Sequence, residues 1–415
     1  MAKHKFDIGF FTCMYHQVNG TAHAVRFLAD AIARLGHNVH LFAPKIINGY
    51  NHPETLHFHS IGGVRVSPST GFVLSIPVRK YFKAQAEYLD VSHIHTHATI
   101  GSMGLVWAKK FQIPIIGTHN SPLHYYSAQY APIIGDIMVK SKFFWFYEKN
   151  LLKYYDLLHV PTQSKKELIK EHKFKEPIFC MTNGIHDMYF SPLKQNGIRE
   201  KYGLEDKKIL LYASRLSPEK HQVKIIKAFE EINKVVPDTH LVLVGSDGPS
   251  TTFVKSLLSK KKYNKIISYL GIVPFRDLLR LYNTADLSCL WSWVEAEGLV
   301  LLEAMAQGTP TVGTNACGIK DVIRHNKTGY LADNLNEFKH YVIRLFKDDD
   351  LRKQFGENAK KIAQNYRISN IAKNWIQLYR FTIDQLHPLK LNNIDRNYRV
   401  ELVKDFVKKL PIVSF

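Results

Sequence analysis

Short apolar runs alternate with stretches whose apolar residues recur at helical spacing, and the whole alternation begins again near the middle of the chain. The first run, FDIGFF (6–11), is followed by the loop TCMYHQVNG and by AHAVRFLADAIARLG, a helical pattern that stops at Gly36. HNVHLFAP supplies the next strand, and VSHIHTH (91–97), IPIIGTH (113–119), LLHVPT (157–162) and IFCMTN (178–183) continue the series. A second set comprises KKILLYAS (207–214), a helix near 220–235, HLVLVG (240–245), KIISYLG (265–271), ADLSCL (285–290) and PTVGT (310–314). Strands that alternate with helices pair in parallel, because a parallel connection must cross the sheet and a helix makes that crossing. The expected fold class is α/β, with two doubly wound, Rossmann-like domains facing each other across a cleft.

At 415 residues the chain exceeds one core of usual size, which agrees with two domains. The polar segment SPLKQNGIREKYGLEDK (191–207) carries Gly and Pro and reads as the linker. We expect an N-terminal Rossmann-like domain over 1–190 and a C-terminal Rossmann-like domain over 191–366. A helix at 367–385 lies beyond the second domain and is expected to cross back to the first, and 386–415 forms a basic amphipathic tail.

Lysine plus arginine outnumber aspartate plus glutamate by 56 to 36, and the net charge of +20 points to phosphates, anionic lipid or nucleic acid as partners. The four cysteines, Cys13, Cys180, Cys289 and Cys317, sit in or beside apolar runs and form no CxxC pair, which argues for a reducing compartment and against zinc. No N-terminal stretch resembles a signal peptide, and no run reaches the ~20 apolar residues of a spanning helix. The expectation is a cytoplasmic protein, peripheral on the inner face of the cell membrane.

Ligands of open α/β sheets bind at the carboxyl ends of strands, and four such ends carry unusual residues. Asn19-Gly20-Thr21 precedes the first helix, where a glycine lets backbone approach a ligand and the helix terminus attracts an anion; an ordinary Asn-Gly cap reads the same way. Arg215, with Lys220 five residues on, suits a pyrophosphate, although either cation alone reads as a solvated surface charge. His119 ends a strand in IIGTHNSP, with His95 and His97 equally placed by pattern. EAEGLVLLEAMAQGTP (295–310) sets Gly298-Leu299-Val300 at a helix mouth, with Glu303 on the helix and Glu295 before the turn. Glu303 could accept two hydrogen bonds from a ribose diol or enter a buried salt bridge, and the residues alone leave both open.

EAEGLVLLEAMAQGTPTV resembles the nucleotide-sugar motif E-[GS]-F-G-x4-EAMA-x-G-x-P-V of the GT4 family of retaining glycosyltransferases. NGTAHAVRFLADAIARLGHNVHLFAP, HIHTH with GTHNSP, NGIHDMYFSP, YASRLSPEKH and LVLVGSDGP match further family segments in the same order, so the similarity covers roughly residues 6–385. The resemblance implies a GT-B fold in which Arg215 and Lys220 hold the donor diphosphate and stabilise it as it leaves. It gives Glu303 the ribose, Glu295 the transferred sugar, Gly20 a loop contact to phosphate or sugar, and His119 a place close to that sugar. It implies no obligatory metal or cofactor, and KDDDL (347–351) reads as a solvated acidic patch and not as a metal-binding DxD. It also implies transfer with retention, by front-side attack in which the leaving phosphate helps deprotonate the acceptor.

Three positions depart from the pattern: Glu297 replaces Phe, Ala296 stands for Gly or Ser, and Cys317-Gly318 stands for Gly-Gly. Glu297 adds a carboxylate that either bears on sugar choice or faces solvent, and Cys317 leaves the backbone less permissive than glycine would. UDP-glucose is the preferred donor and GDP-mannose the next.

On the acceptor side, MVKSKFFWFYEKNLLKYYDLL (138–158) carries four lysines, with Phe144, Tyr147, Leu151, Tyr154 and Leu158 as a helical stripe. Such a helix suits an anionic bilayer interface, or packs its stripe on the sheet. RVELVKDFVKKLPIVSF (399–415) repeats the theme with Val403, Phe406, Val407 and Leu410 on one face. A lipid or lipid-linked acceptor is therefore expected, with a soluble saccharide or metabolite as the alternative acceptor. A non-catalytic nucleic-acid-binding protein fits the charge but leaves the strand-end residues unexplained, so no nucleic-acid partner is expected. A sugar-nucleotide sensor is disfavoured by the intact Arg215, Lys220, Glu295 and Glu303 set.

Overall fold

The structure, a computed structural model, describes residues 5–15, 19–44, 53–67, 72–75, 88–97, 99–120, 143–191, 193 and 197–411. The chain folds as two compact units, one made of residues 1–183 and 368–414 and the other of 184–367. The change of unit comes at Gly184, earlier than the polar segment suggests, because Tyr189 is buried against Phe275 and Tyr282 of the second unit.

In the first unit, strands β1 (Asp7–Phe11), β2 (Asn38–Pro44), β3 (Leu56–Ile61), β6 (Val91–Ile94), β7 (Ile115–Thr118), β8 (Leu157–Val160) and β9 (Ile178–Cys180) form one sheet in the order β3-β2-β1-β6-β7-β8-β9, parallel throughout. Strands β4 (Gly63–Ser67) and β5 (Phe72–Ser75) form a separate antiparallel hairpin. Alternate residues of β1 feed opposite faces, as a two-sided parallel sheet requires. Ile8 and Phe10 join Val25, Leu28 and Ile32 of helix Gly20–Arg34 and Ile371, Trp375 and Leu378 of helix Ile368–Phe381. Phe11 packs on the other face with Ile94, Ile100 and Leu105. Asn19 caps the first helix, its side chain accepting from the Ala22 N–H at 2.9 Å.

The C-terminal segment is part of this unit and not a separate tail. Helix Arg396–Lys409 buries Val403, Leu410 beyond it is buried too, and Phe406 stacks on Phe381 with ring centroids 4.0 Å apart. The apolar face that reads as a membrane foot is thus turned into the core, while Lys404, Lys408 and Lys409 are exposed together with Tyr398, Glu401 and Asp405.

In the second unit, strands β10 (Lys208–Ala213), β11 (Thr239–Val244), β12 (Ile267–Tyr269), β13 (Leu287–Leu290), β14 (Thr311–Thr314) and β15 (Gly329–Ala332) run parallel in the order β12-β11-β10-β13-β14-β15. In both sheets the strand order reverses beside the first strand, between β1 and β6 and between β10 and β13. Crevices for ligands open at such reversals, outside the carboxyl ends of the strands. Asp348 of KDDDL caps helix Asp349–Ala363 through the Leu351 N–H, and Asp349 pairs with Arg352 at 2.6 Å, so these acids serve a helix terminus.

Candidate active site

The reversal in the second sheet lies between the segments that follow β10 and β13. After β10 the chain enters a tight turn, Pro218–Lys220, and His221 takes a left-handed φ of 46° before helix Gln222–Val235. Gln222 pins this turn by donating to the Arg215 carbonyl at 2.7 Å and to Ser214 Oγ at 2.9 Å. The Tyr212 hydroxyl donates to the Lys220 carbonyl and accepts the Trp291 N–H at 3.2 Å, tying the Lys220 backbone to the end of β13.

These restraints bring two of the expected residues into contact. Lys220 Nζ donates to the Glu295 carboxylate, and both side chains are largely buried. Arg215 pairs with Glu219 at 3.3 Å, and Glu219 also accepts from Ser217 Oγ at 2.5 Å. Glu219, Tyr212 and Gln222 were not singled out from sequence; the signal was their place in YASRLSPEKHQ, directly beside the two cations.

The loop that carries Glu295 is held from behind. The Glu295 carbonyl accepts the Gly318 N–H at 3.0 Å, and a Cβ on Gly318 would lie 2.2 Å from the Ala296 carbonyl oxygen. Cys317 nonetheless takes the left-handed conformation expected to need glycine, with φ 48°, and its Sγ donates to the Trp293 carbonyl at 2.8 Å. Glu297 does not face solvent. It is 1% exposed and close enough to Tyr366 to add to the rise that burial causes in that phenol.

Gly298 has φ 82° and opens helix Leu299–Ala306, so the first N–H groups, those of Leu299 and Val300 among them, have no partner within the helix. Glu303, a turn further on, pairs with no cation among the described residues. Its carboxyl accepts from the Tyr282 hydroxyl at 2.8 Å and from that of Tyr189, and burial raises it from 4.5 to about 7. The buried salt bridge weighed from sequence is therefore replaced by two phenols. Neither tyrosine was legible as a partner, since they lie on separate elements, in Asp187–Phe190 and Phe275–Thr284.

In the first unit the strand-end histidines separate into two groups. His93, inside β6, accepts from the Tyr379 hydroxyl and donates to Thr118, both at 2.7 Å; Thr118 donates to His159 at 3.0 Å, and His159 donates to the Met181 carbonyl at 2.6 Å. The Met181 end sets every proton in this row: a carbonyl can only accept, so each ring carries its hydrogen on Nε2. His95 packs against Phe10 and His93, and its Nε2 is buried without a hydrogen-bond partner among the described residues.

His97 and His119 form the second group, edge to face at 5.5 Å beyond β6 and β7. His119 Nε2 meets Glu148 Oε2 at 3.3 Å, and Lys165 is close enough to bear on the charge of both. Burial lowers both imidazoles, His97 to about 4, while the two histidines and Lys165 overcome burial to hold the Glu148 carboxyl well below its usual range. Among the described residues, His119 Nδ1, both His97 nitrogens and Asn120 Nδ2 are buried without hydrogen-bond partners. Gly20 is exposed at the start of its helix, where capping by Asn19 accounts for the Asn-Gly pair.

Glu148 comes from the aromatic segment read as an interfacial helix. Residues 138–142 of that segment lie outside the described residues. The helix spans Phe143–Leu152 only, and Leu158, expected in its stripe, belongs to β8. Phe146 is 68% exposed; Lys149 and Lys153 follow on the same face, and Lys109 of helix Thr99–Phe111 lies 3.7 Å over the Tyr154 ring. With exposed Val106 and Lys110 these side chains form a basic, aromatic ridge. No helix among the described residues is long and apolar enough to cross a membrane.

Known proteins match this chain in sequence and in fold. Residues 194–362 match the family described as Glycosyl transferases group 1, and residues 18–187 match Glycosyltransferase Family 4. The chain is 27% identical to N-acetyl-alpha-D-glucosaminyl L-malate synthase of Bacillus anthracis over 90% of its length and 97% of that protein's. It is 25% identical to alpha-monoglucosyldiacylglycerol synthase of Acholeplasma laidlawii, covering 93% of this chain and 99% of that one. Among solved structures, Anabaena HepE in complex with UDP and glucose superposes with a TM-score of 0.70 at 18% identity, over 90% of this chain and 99% of that one.

Proposed function

We propose a donor and an acceptor for this chain, which belongs to the GT4 family of glycosyltransferases and is a hexosyltransferase with the two Rossmann-like domains of the GT-B fold. It moves glucose from UDP-glucose to a lipid or lipid-linked hydroxyl while bound peripherally to an anionic membrane surface. The observation that carries the donor half is the meeting of Lys220 and Glu295 at the strand reversal of the second sheet, with Arg215 paired to Glu219, the residue before Lys220. Arg215 and Lys220 hold the diphosphate, together with the open N–H groups at Gly298, Leu299 and Val300. Glu295 takes hydroxyls of the glucose and Glu303 those of the ribose.

The acceptor hydroxyl attacks the anomeric carbon on the face from which the diphosphate departs. A carbon–oxygen bond to the acceptor forms as the bond to the β-phosphate breaks, and a phosphate oxygen takes the acceptor's proton. The configuration is thereby kept, and the charge on the leaving group is met by the two cations without a metal ion. Product NMR tests the stereochemistry, and an inverted linkage would refute this course.

The lipid acceptor is supported by the ridge of Val106, Lys109, Lys110, Phe146, Lys149, Lys153 and Tyr154, because lysines flanking exposed aromatic rings match an anionic interface. The similarity to a monoglucosyldiacylglycerol synthase agrees. The similarity to a synthase that glycosylates L-malate favours a second reading, with a small soluble acceptor. Sedimentation with vesicles rich in phosphatidylglycerol decides between them: binding that falls as salt rises, with glucose transferred to diacylglycerol in those vesicles, supports the lipid reading. Protein that stays in solution at low salt and glucosylates a soluble hydroxy acid without vesicles selects the second.

A further inference from the structure

The exposed face of helix Phe143–Leu152 answers to the membrane, but Glu148 points the other way and is nearly inaccessible, its side chain 2% exposed beside a His119 side chain at 1%. An acid enclosed to this degree is costly unless its charge is used. Its contact with His119 Nε2 at 3.3 Å uses it in a directional way. An ionised carboxylate can only accept, so the imidazole hydrogen must sit on Nε2. Nδ1 of the same ring then carries a lone pair; among the described residues no other residue bonds to it, and the ring's own backbone carbonyl is the one group that competes for a hydrogen there. His97 lies edge-on to His119 with both nitrogens unmet, and Asn120 Nδ2, next in the chain, is unmet as well. Three buried polar side chains therefore present unsatisfied atoms where the carboxyl ends of β6 and β7 open, on the side of the sheet where ligands bind.

We propose that Glu148 is a positioning residue for transfer: it holds His119 as the Nε2–H tautomer, so that Nδ1 accepts the hydrogen of a substrate hydroxyl at the polar edge formed with His97 and Asn120. Glu148 itself touches no substrate. The inference rests on the glycosyltransferase reading for its substrate but not for its tautomer, and the two parts are measured separately.

The first measurement is ¹⁵N NMR of ring-labelled histidine, with the His119 resonances assigned by their loss in His119→Asn. Wild-type protein should show a protonated Nε2 and an unprotonated Nδ1. Glu148→Gln keeps the volume, but its amide either donates or accepts, so the ring should become a mixture of tautomers. The second measurement is a kinetic cycle. Glu148→Gln should lower kcat by about 10- to 100-fold, with KM and the melting temperature close to wild type. In a His119→Asn background the same change should have almost no further effect, because a partner acting through the ring has nothing left to act on.

An unchanged tautomer in Glu148→Gln would overturn the proposal, as would losses that multiply in the double variant. Should Glu148→Gln unfold, Glu148→Met and the wild-type tautomer alone still decide. Failure of every nucleotide sugar as donor would refute the functional reading and leave the NMR result standing.

Discussion

Replacing Glu303 by glutamine asks whether this carboxyl keeps its proton in the folded protein. Burial lifts it from 4.5 to about 7, against the opposing pull of the Tyr282 and Tyr189 hydroxyls. A gap of about 2.5 pH units, at about 1.36 kcal/mol each, corresponds to about 3 kcal/mol. The folded-state value lies above the unfolded one, which fixes the sign. Below about 4.5 both states hold the proton and folding carries no penalty. As pH rises toward about 7 only the unfolded chain ionises, so stability is lost until the folded carboxyl ionises too, and the loss is constant above that. Glutamine copies the neutral acid and can accept the Tyr282 hydrogen, yet has no charge to bury. The gap between Glu303→Gln and wild type should therefore shift by about 3 kcal/mol in favour of glutamine between pH 4 and pH 8. Hydrogen exchange of second-unit amides is the assay, because the two units need not unfold together. A gap that stays flat across this range would mean that folding leaves the carboxyl where it titrates in the unfolded chain, and the reasoning would fail. Donor binding offers a second readout: a ribose diol donates to the ionised form, so UDP should release about half a proton near pH 7.

Three further outcomes follow from the same geometry. Lys220→Met should lower kcat/KM with UDP-glucose by at least about 100-fold in an initial-rate assay, since it removes a diphosphate cation and strands Glu295. Tyr379→Phe should cost the first unit about 1–3 kcal/mol in urea unfolding by leaving His93 Nδ1 a buried acceptor without a donor, with donor KM unchanged. Gly318→Ala forces a methyl against the Ala296 carbonyl, so calorimetric UDP affinity should fall while the circular dichroism spectrum is kept.

The alternation of apolar runs and helical patterns was sufficient to read two parallel sheets, because strands buried on both faces are continuous in hydrophobicity. Strand β3 escaped because LHFHSI mixes histidines with apolar residues, and its edge position leaves His57 exposed. The aromatic helix was overextended: Tyr154 and Leu158 continue the helical spacing, but the chain leaves the helix after Leu152 to place Leu157–Val160 beside β7. Periodicity cannot register that competition, which is decided by pairing with a distant strand. Arg215, Lys220, Glu295 and Gly298 could be singled out because each follows a strand end at a short distance, and the structure brings Lys220 and Glu295 together. Glu148 could not be, since its partner is 29 residues away and only the packed helix turns it inward. Tyr189 and Tyr282 escaped for the same reason.

The cations expected to receive a diphosphate already face carboxylates, and this bears on how the site works. An unpaired ammonium or guanidinium this enclosed would carry a desolvation penalty in the absence of donor. Glu295 and Glu219 offset it, keeping Lys220 and Arg215 ordered and aimed. Ser217 holds Glu219 from the other side, and Tyr212 holds the Lys220 backbone, so neither pair depends on the ligand for its place. A diphosphate can still enter, because it brings more charge than the carboxylate it competes with and accepts hydrogen bonds from several donors at once. A diphosphate that took Lys220 would release the Glu295 carboxylate for sugar hydroxyls, while the Glu295 carbonyl stays fixed to the Gly318 N–H. On the proposed reading one acid would serve twice, as counter-ion to Lys220 and as ligand of the sugar. Glu295→Gln, which keeps the acceptor oxygen but not the charge, should therefore impair glucose transfer less than Glu295→Ala while loosening Lys220 equally. If the two substitutions are equally damaging, the acid acts through the lysine alone.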